Sequence, residues 1–153
     1  MGILDFIFGK TIKINDTFFG KMLFLDDKKN PENEYFECSR NFEPSNDIID
    51  IGIEADVSGP TELRKDFFKK IESNYDEIIS TIKPVIINEF KKWEDNFEIT
   101  DFRNEFKAVY LFLPRCEKQP IVWKISFETI LDLNHVVSLT MSDFNLKEIL
   151  IDG

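Results

Sequence analysis

The sequence predicts an α+β fold: antiparallel strands, then a long amphipathic helix kinked or split near Pro84, then an antiparallel C-terminal meander. Three observations predict it. Residues 47–56 alternate Ile49, Ile51, Ile53 and Ala55 with Asp50, Gly52, Glu54 and Asp56, the period-2 signature of a half-buried strand. Leu63, Phe67, Ile71, Tyr75, Ile78, Ile82, Ile86, Phe90 and Trp93 then recur three and four apart, one apolar stripe along a helix. Alternation returns in residues 121–127, 137–141 and 149–151, with short connections between the runs.

The elements follow in order. Residues 11–14, 21–25 and 35–42 read as strands, separated by Gly20 and by the polar segment 26–33. Pro44-Ser45-Asn46 supplies the next turn. Pro60 suits a first helical turn, and Thr61 can cap it. A straight helix of thirty-odd residues would span roughly 50 Å at ~1.5 Å per residue. That exceeds a domain of this size, and Pro84 is the expected break because it lacks an N–H and crowds the preceding turn. A short helix is expected at 101–106. Residues 108–113 are apolar on both faces, as in a central strand.

The chain has 153 residues and fits one domain, 1–153, able to bury a core without disulfides or metals. It carries 29 acids against 19 bases, a net charge of −10. That balance disfavours nucleic acid, whose phosphates demand Lys and Arg, and an anionic membrane surface for the same reason. It suits solvation, or a basic protein partner drawn in by the field. Two cysteines, Cys38 and Cys116, are too few for a disulfide framework, and reduced thiols place the chain in the cytoplasm. The apolar run 3–8 contains Asp5 and is too short for a signal-peptide core or a membrane span.

The residues offer little chemistry. His135 is the lone histidine, and no nucleophile stands at a telling spacing from it. Cys38 is expected to be packed and Cys116 to be an exposed turn thiol. One His and two distant Cys do not make a zinc site, and the 26–32 segment lacks the glycine and spacing of a calcium loop. No P-loop, dinucleotide fingerprint or nucleophile elbow is present. The expectation is a protein without catalysis, cofactor or metal.

Charge is unevenly placed. Residues 59–93 hold 6 acids and 7 bases, so the helix reads as scaffold, whereas residues 26–56 hold 10 acids against 3 bases. The candidate partner-binding residues are therefore Asp26, Asp27, Glu32, Glu34, Glu37, Asp50, Glu54 and Asp56. If the isoleucines of the 47–56 strand face the core, Asp50, Glu54 and Asp56 share its outer face.

Asp16-Thr17-Phe18-Phe19-Gly20, the 51–56 strand leading into Gly59-Pro60-Thr61-Glu62, the helix through Asn74-Tyr75-Asp76, and the closing Ile151-Asp152-Gly153 carry a resemblance. Together they resemble a group of small bacterial domains of unknown function, frequently found among immunity proteins of contact-dependent and secreted toxin systems. The pattern covers most of the chain, and its motifs are structural. That group tends to carry Gln three residues after the Thr, completing a capping box; Arg64 stands there here, so the helix start is expected to be capped differently. The resemblance implies a strand–helix–strand fold and an immunity role, in which an acidic inhibitor occludes a basic toxin. An accessory domain that self-associates or joins a larger complex is the alternative, with the 3–8 run as its docking element.

Overall fold

The computed structural model describes residues 12–25, 34–55 and 58–153. Among these, 47% are strand and 24% helix. Eight strands form one mixed sheet whose spatial order is their sequence order. They are β1 (Ile12–Asp16), β2 (Gly20–Leu25), β3 (Tyr35–Phe42), β4 (Asp47–Glu54), β5 (Phe106–Leu113), β6 (Val122–Thr129), β7 (Asp132–Ser142) and β8 (Asn145–Asp152). Every neighbouring pair is antiparallel except β4 and β5, which run parallel with Asp50 opposite Tyr110 and Gly52 opposite Phe112. A parallel pair needs a crossover. Three short helices supply it: α1 (Glu62–Ser73), α2 (Tyr75–Phe90) and α3 (Phe102–Glu105).

This corrects the expected class. The chain is mostly β, with no long helix followed by a meander among the described residues. The expected strands lie close to where alternation placed them, but period 2 says only which side of a strand is buried, not which strand it pairs with. The parallel β4–β5 ladder joins the strands before and after the helices into a single sheet.

The helix break also falls elsewhere. Asn74, φ −105°, separates α1 from α2, and its backbone N–H and side-chain amide both donate to the Lys70 carbonyl at 2.9 and 2.8 Å. An Asn that satisfies an orphan carbonyl competes with continued helix. Pro84 lies inside α2 without ending it. Pro84 and Ser80 are exposed, so the carbonyl that loses its donor there can bond to water. The buried line Ile78, Ile82, Ile86 and Phe90 meanwhile holds α2 on the sheet.

The start of the stripe needs correction too. Leu63 is 53% exposed and Trp93 52%, while Arg64 is 2% exposed. Arg64 Nε donates to the Glu54 carbonyl at 2.7 Å, and Nη1 donates to Thr61 Oγ1 at 3.1 Å. Thr61 therefore occupies the N-cap position, but its hydroxyl serves Arg64 rather than the helix backbone. The arginine that departs from a capping box ties α1 to the end of β4.

The helices cover one face of the sheet. Phe36, Cys38 and Phe42 of β3, Ile49, Ile51 and Ile53 of β4, Leu111 and Leu113 of β5, Trp123, Ile125 and Phe127 of β6, and Val137, Leu139 and Met141 of β7 belong to one buried cluster with Phe67, Phe68, Ile71 and the α2 line. Phe68 is central, with ring centroids 5.9 Å from Phe19 and 6.3 Å from Phe42. The β1–β2 hairpin closes over it. Asp16 Oδ1 accepts the Phe18 and Phe19 N–H groups at 3.0 and 2.9 Å, Gly20 takes φ +77°, and Lys65 pairs with Asp16 at 3.2 Å.

Candidate partner interface

Among the described residues no element covers the opposite face of the sheet. Pleating sends Glu37 and Ser39 of β3, Asp50 and Gly52 of β4, Tyr110 and Phe112 of β5, and Lys124, Ser126 and Glu128 of β6 to this side. The registers align them in rows: Leu23, Glu37, Gly52, Phe112 and Lys124 in one, Ser39, Asp50, Tyr110, Ser126 and Ser138 in the next.

Gly52 breaks its row, having no side chain to stand between Glu37 and Phe112. The space above it is occupied by neighbouring aromatics: a β-carbon at Gly52 would lie 2.4 Å from the Tyr110 hydroxyl oxygen and 3.1 Å from the Phe112 ring. Beside it opens a hollow of about 430 Å³ lined by Leu23, Glu37, Cys38, Ser39, Asp50, Ile51 and Tyr110. Asp50 Oδ1 accepts the Ser39 hydroxyl at 2.7 Å, and Glu37 Oε1 accepts the Tyr35 hydroxyl at 3.5 Å. Among the described residues neither carboxylate has a cation within ion-pair distance.

The local field is negative. Burial pushes the Tyr110 hydroxyl above its ordinary pKa, and Tyr35, Glu37 and Asp50 push it further. Tyr35 is raised by burial and then by Glu37. Burial pushes the Cys38 thiol up to about 12, against the opposing pull of Arg40.

Of the sequence-chosen residues, Glu37, Asp50 and Glu54 come together on this face. Glu54 differs from the other two in pairing with Arg115 at 3.3 Å, beside a second hollow of about 520 Å³ at the β5–β6 loop. Glu34 precedes β3 and is half-buried. Asp26, Asp27, Glu32 and Asp56 lie outside the described residues, as does the 3–8 run. Sequence reasoning missed Tyr110, Phe112 and Gly52. The apolar 108–113 run was expected to be buried on both sides, yet Tyr110 and Phe112 are only half-buried because no described element covers that face of the sheet. The usable signal was Gly52, since glycine inside a strand often marks a close approach.

The remaining chemical groups are dispersed. Cys116 is 8% exposed, correcting the expected surface thiol, and burial pushes it up to about 11. Its loop precedes β6, whereas His135 lies beyond the other end of β6, with Nδ1 2.5 Å from Asp132 Oδ2 and its ring 5.9 Å from Trp93. Among the described residues no group of three His, Cys, Asp or Glu side chains is placed to hold a metal. No described helix is long and apolar enough to cross a membrane. In comparisons with protein-family models, curated proteins and solved structures, nothing matches the chain.

Proposed function

We propose that this chain is a non-enzymatic bacterial binding protein of the immunity kind, which neutralises a cognate basic toxin in the cytoplasm by occluding it. One observation carries the reading. Helices cover a single face of an eight-stranded sheet, and the other presents Glu37 and Asp50, with no cation within ion-pair distance among the described residues, around the aromatic centre of Tyr35, Tyr110 and Phe112. Interface centres favour aromatic residues, and uncompensated carboxylates steer and select a cationic partner. The net charge of −10 adds long-range attraction of the same sign. The resemblance to immunity-associated domains supports the same role.

Co-expression with the product of the adjoining reading frame tests it. A complex is expected to co-purify, and the chain is expected to rescue growth from that product. Neither complex nor rescue would sink the proposal.

A second reading, an accessory domain that self-associates, is favoured by apolar side chains elsewhere. Trp93, Ile130 and Leu131 are 52%, 59% and 43% exposed near the β6–β7 turn. Light scattering on the purified chain checks it: a monomer at every concentration argues against self-association.

A further inference from the structure

We propose that the hollow beside Gly52, between Leu23, Glu37, Asp50 and Tyr110, seats a single arginine side chain of the protein partner. This rests on reading the open face as the partner interface, and it assigns the chemistry of the contact at its centre.

The hollow is floored by Cys38 and Ile51 and walled by Tyr110, whose hydroxyl stands over neighbouring Gly52. Asp50 stands in the ring's own row, directly opposite Tyr110, and Glu37 in the next row, opposite Gly52. Ser39 orients Asp50 through one oxygen and leaves the other without a partner among the described residues. Leu23, opposite Glu37, supplies an apolar rim. An incoming side chain thus meets an apolar edge, an aromatic surface and two anions, with Lys13 and Lys21 lining the next hollow beyond Leu23.

Arginine satisfies all three. Its methylene stem lies along Leu23, its planar guanidinium rests on the Tyr110 ring, and its N–H groups reach two acceptors in different directions. Lysine presents a point charge that cannot lie flat on the ring while donating to both carboxylates in a fixed fork. The neighbouring hollow at Glu54 is unsuitable, because Arg115 of the same chain already fills that role.

The test titrates the intact chain with two capped tripeptides, Gly-Arg-Gly and Gly-Lys-Gly, and follows backbone amide resonances. The arginine peptide is expected to give saturable shifts centred on Glu37, Ser39, Asp50, Gly52 and Tyr110. The lysine peptide should bind about tenfold more weakly. Glu37→Gln combined with Asp50→Asn should weaken the arginine peptide by about tenfold or more, and Tyr110→Leu by a similar factor. Tyr110→Phe keeps the ring and should keep the binding. Gly52→Ala should weaken it by displacing the ring, and its dispersed spectrum would show that the fold survives. Equal binding of both peptides, shifts scattered over the acidic surface, or full binding by the double variant would overturn the seat.

The two proposals fail separately. A toxin complex broken by Glu128→Lys but indifferent to the Glu37→Gln/Asp50→Asn pair would keep the open face and remove the arginine seat. A peptide that binds in the hollow while no complex forms with the adjoining gene product would keep the seat and remove the immunity role.

Discussion

The two faces of the sheet are built from the same strands and obey opposite rules. On the helix-covered face, side chains are apolar, fully buried and interlocked, with Phe68, Trp123 and Phe127 at 0% exposure. On the open face, two carboxylates stand beside half-buried aromatics with no cation within ion-pair distance among the described residues. Like charges beside one another cost stability, because each repels the other and among the described residues neither has a counter-ion within ion-pair distance. The contrast separates a face whose contacts hold the fold together from one whose acids add little to it.

Mutations can break that contrast. The largest effect is expected on the covered face: Phe68→Ala should destabilise by about 3–5 kcal/mol, since it opens a cavity among Phe18, Phe19 and Phe42. Urea titration measures it, and a loss below about 1 kcal/mol would mean that the aromatic cluster is not the core.

An intermediate and pH-dependent effect belongs to Asp16. Burial raises its pKa, but the Phe19 and Phe18 N–H groups and Lys65 outweigh that and hold it below the ordinary value of 3.8. The charged form therefore favours the fold. Its contribution is complete above the ordinary value and is lost as pH falls below it toward the folded value. Asp16→Ala should cost about 1–3 kcal/mol at pH 7, and the gap to the parent should narrow in acid. A gap that stays constant down to pH 2 would contradict the assigned hydrogen bonds.

The smallest effect on stability is expected on the open face. Glu37→Gln with Asp50→Asn should change it by no more than about 0.5 kcal/mol in either direction. Large destabilisation by this pair would mean the acids support the fold, and the contrast between faces would collapse. The thiols sharpen the same point: with Cys38 raised to about 12 and Cys116 to about 11, both should resist alkylation at pH 8 until urea unfolds the chain. Rapid modification of native Cys38 would show that the hollow floor opens.

Much of the local structure was legible in the residues. The isoleucines of β4 announced which side of that strand is buried, and placing Asp50 and Glu54 on the outer side followed directly. Helix and strand segments were readable because periods of 3.6 and 2 are local properties. Asn74 ended a helix where Pro84 was expected to, since the cost of proline depends on whether its orphaned carbonyl reaches water, which a sequence does not display. Arg64 was visible as a departure from a capping box, but its reach to the Glu54 carbonyl was not.

By itself, then, the sequence determined the identity and facing of most elements and the surplus of acid on residues 26–56. Only the tertiary structure decided that β4 and β5 run side by side and parallel, that the helices shield one face and leave the other open, and that Tyr110 and Phe112 stand over Gly52 beside Glu37 and Asp50. The physical reason is range. Periodicity is set by residues a few positions apart, whereas the central ladder brings together positions on either side of the helical crossover, and pairing at that distance is selected by the burial of the whole core rather than by any local signal.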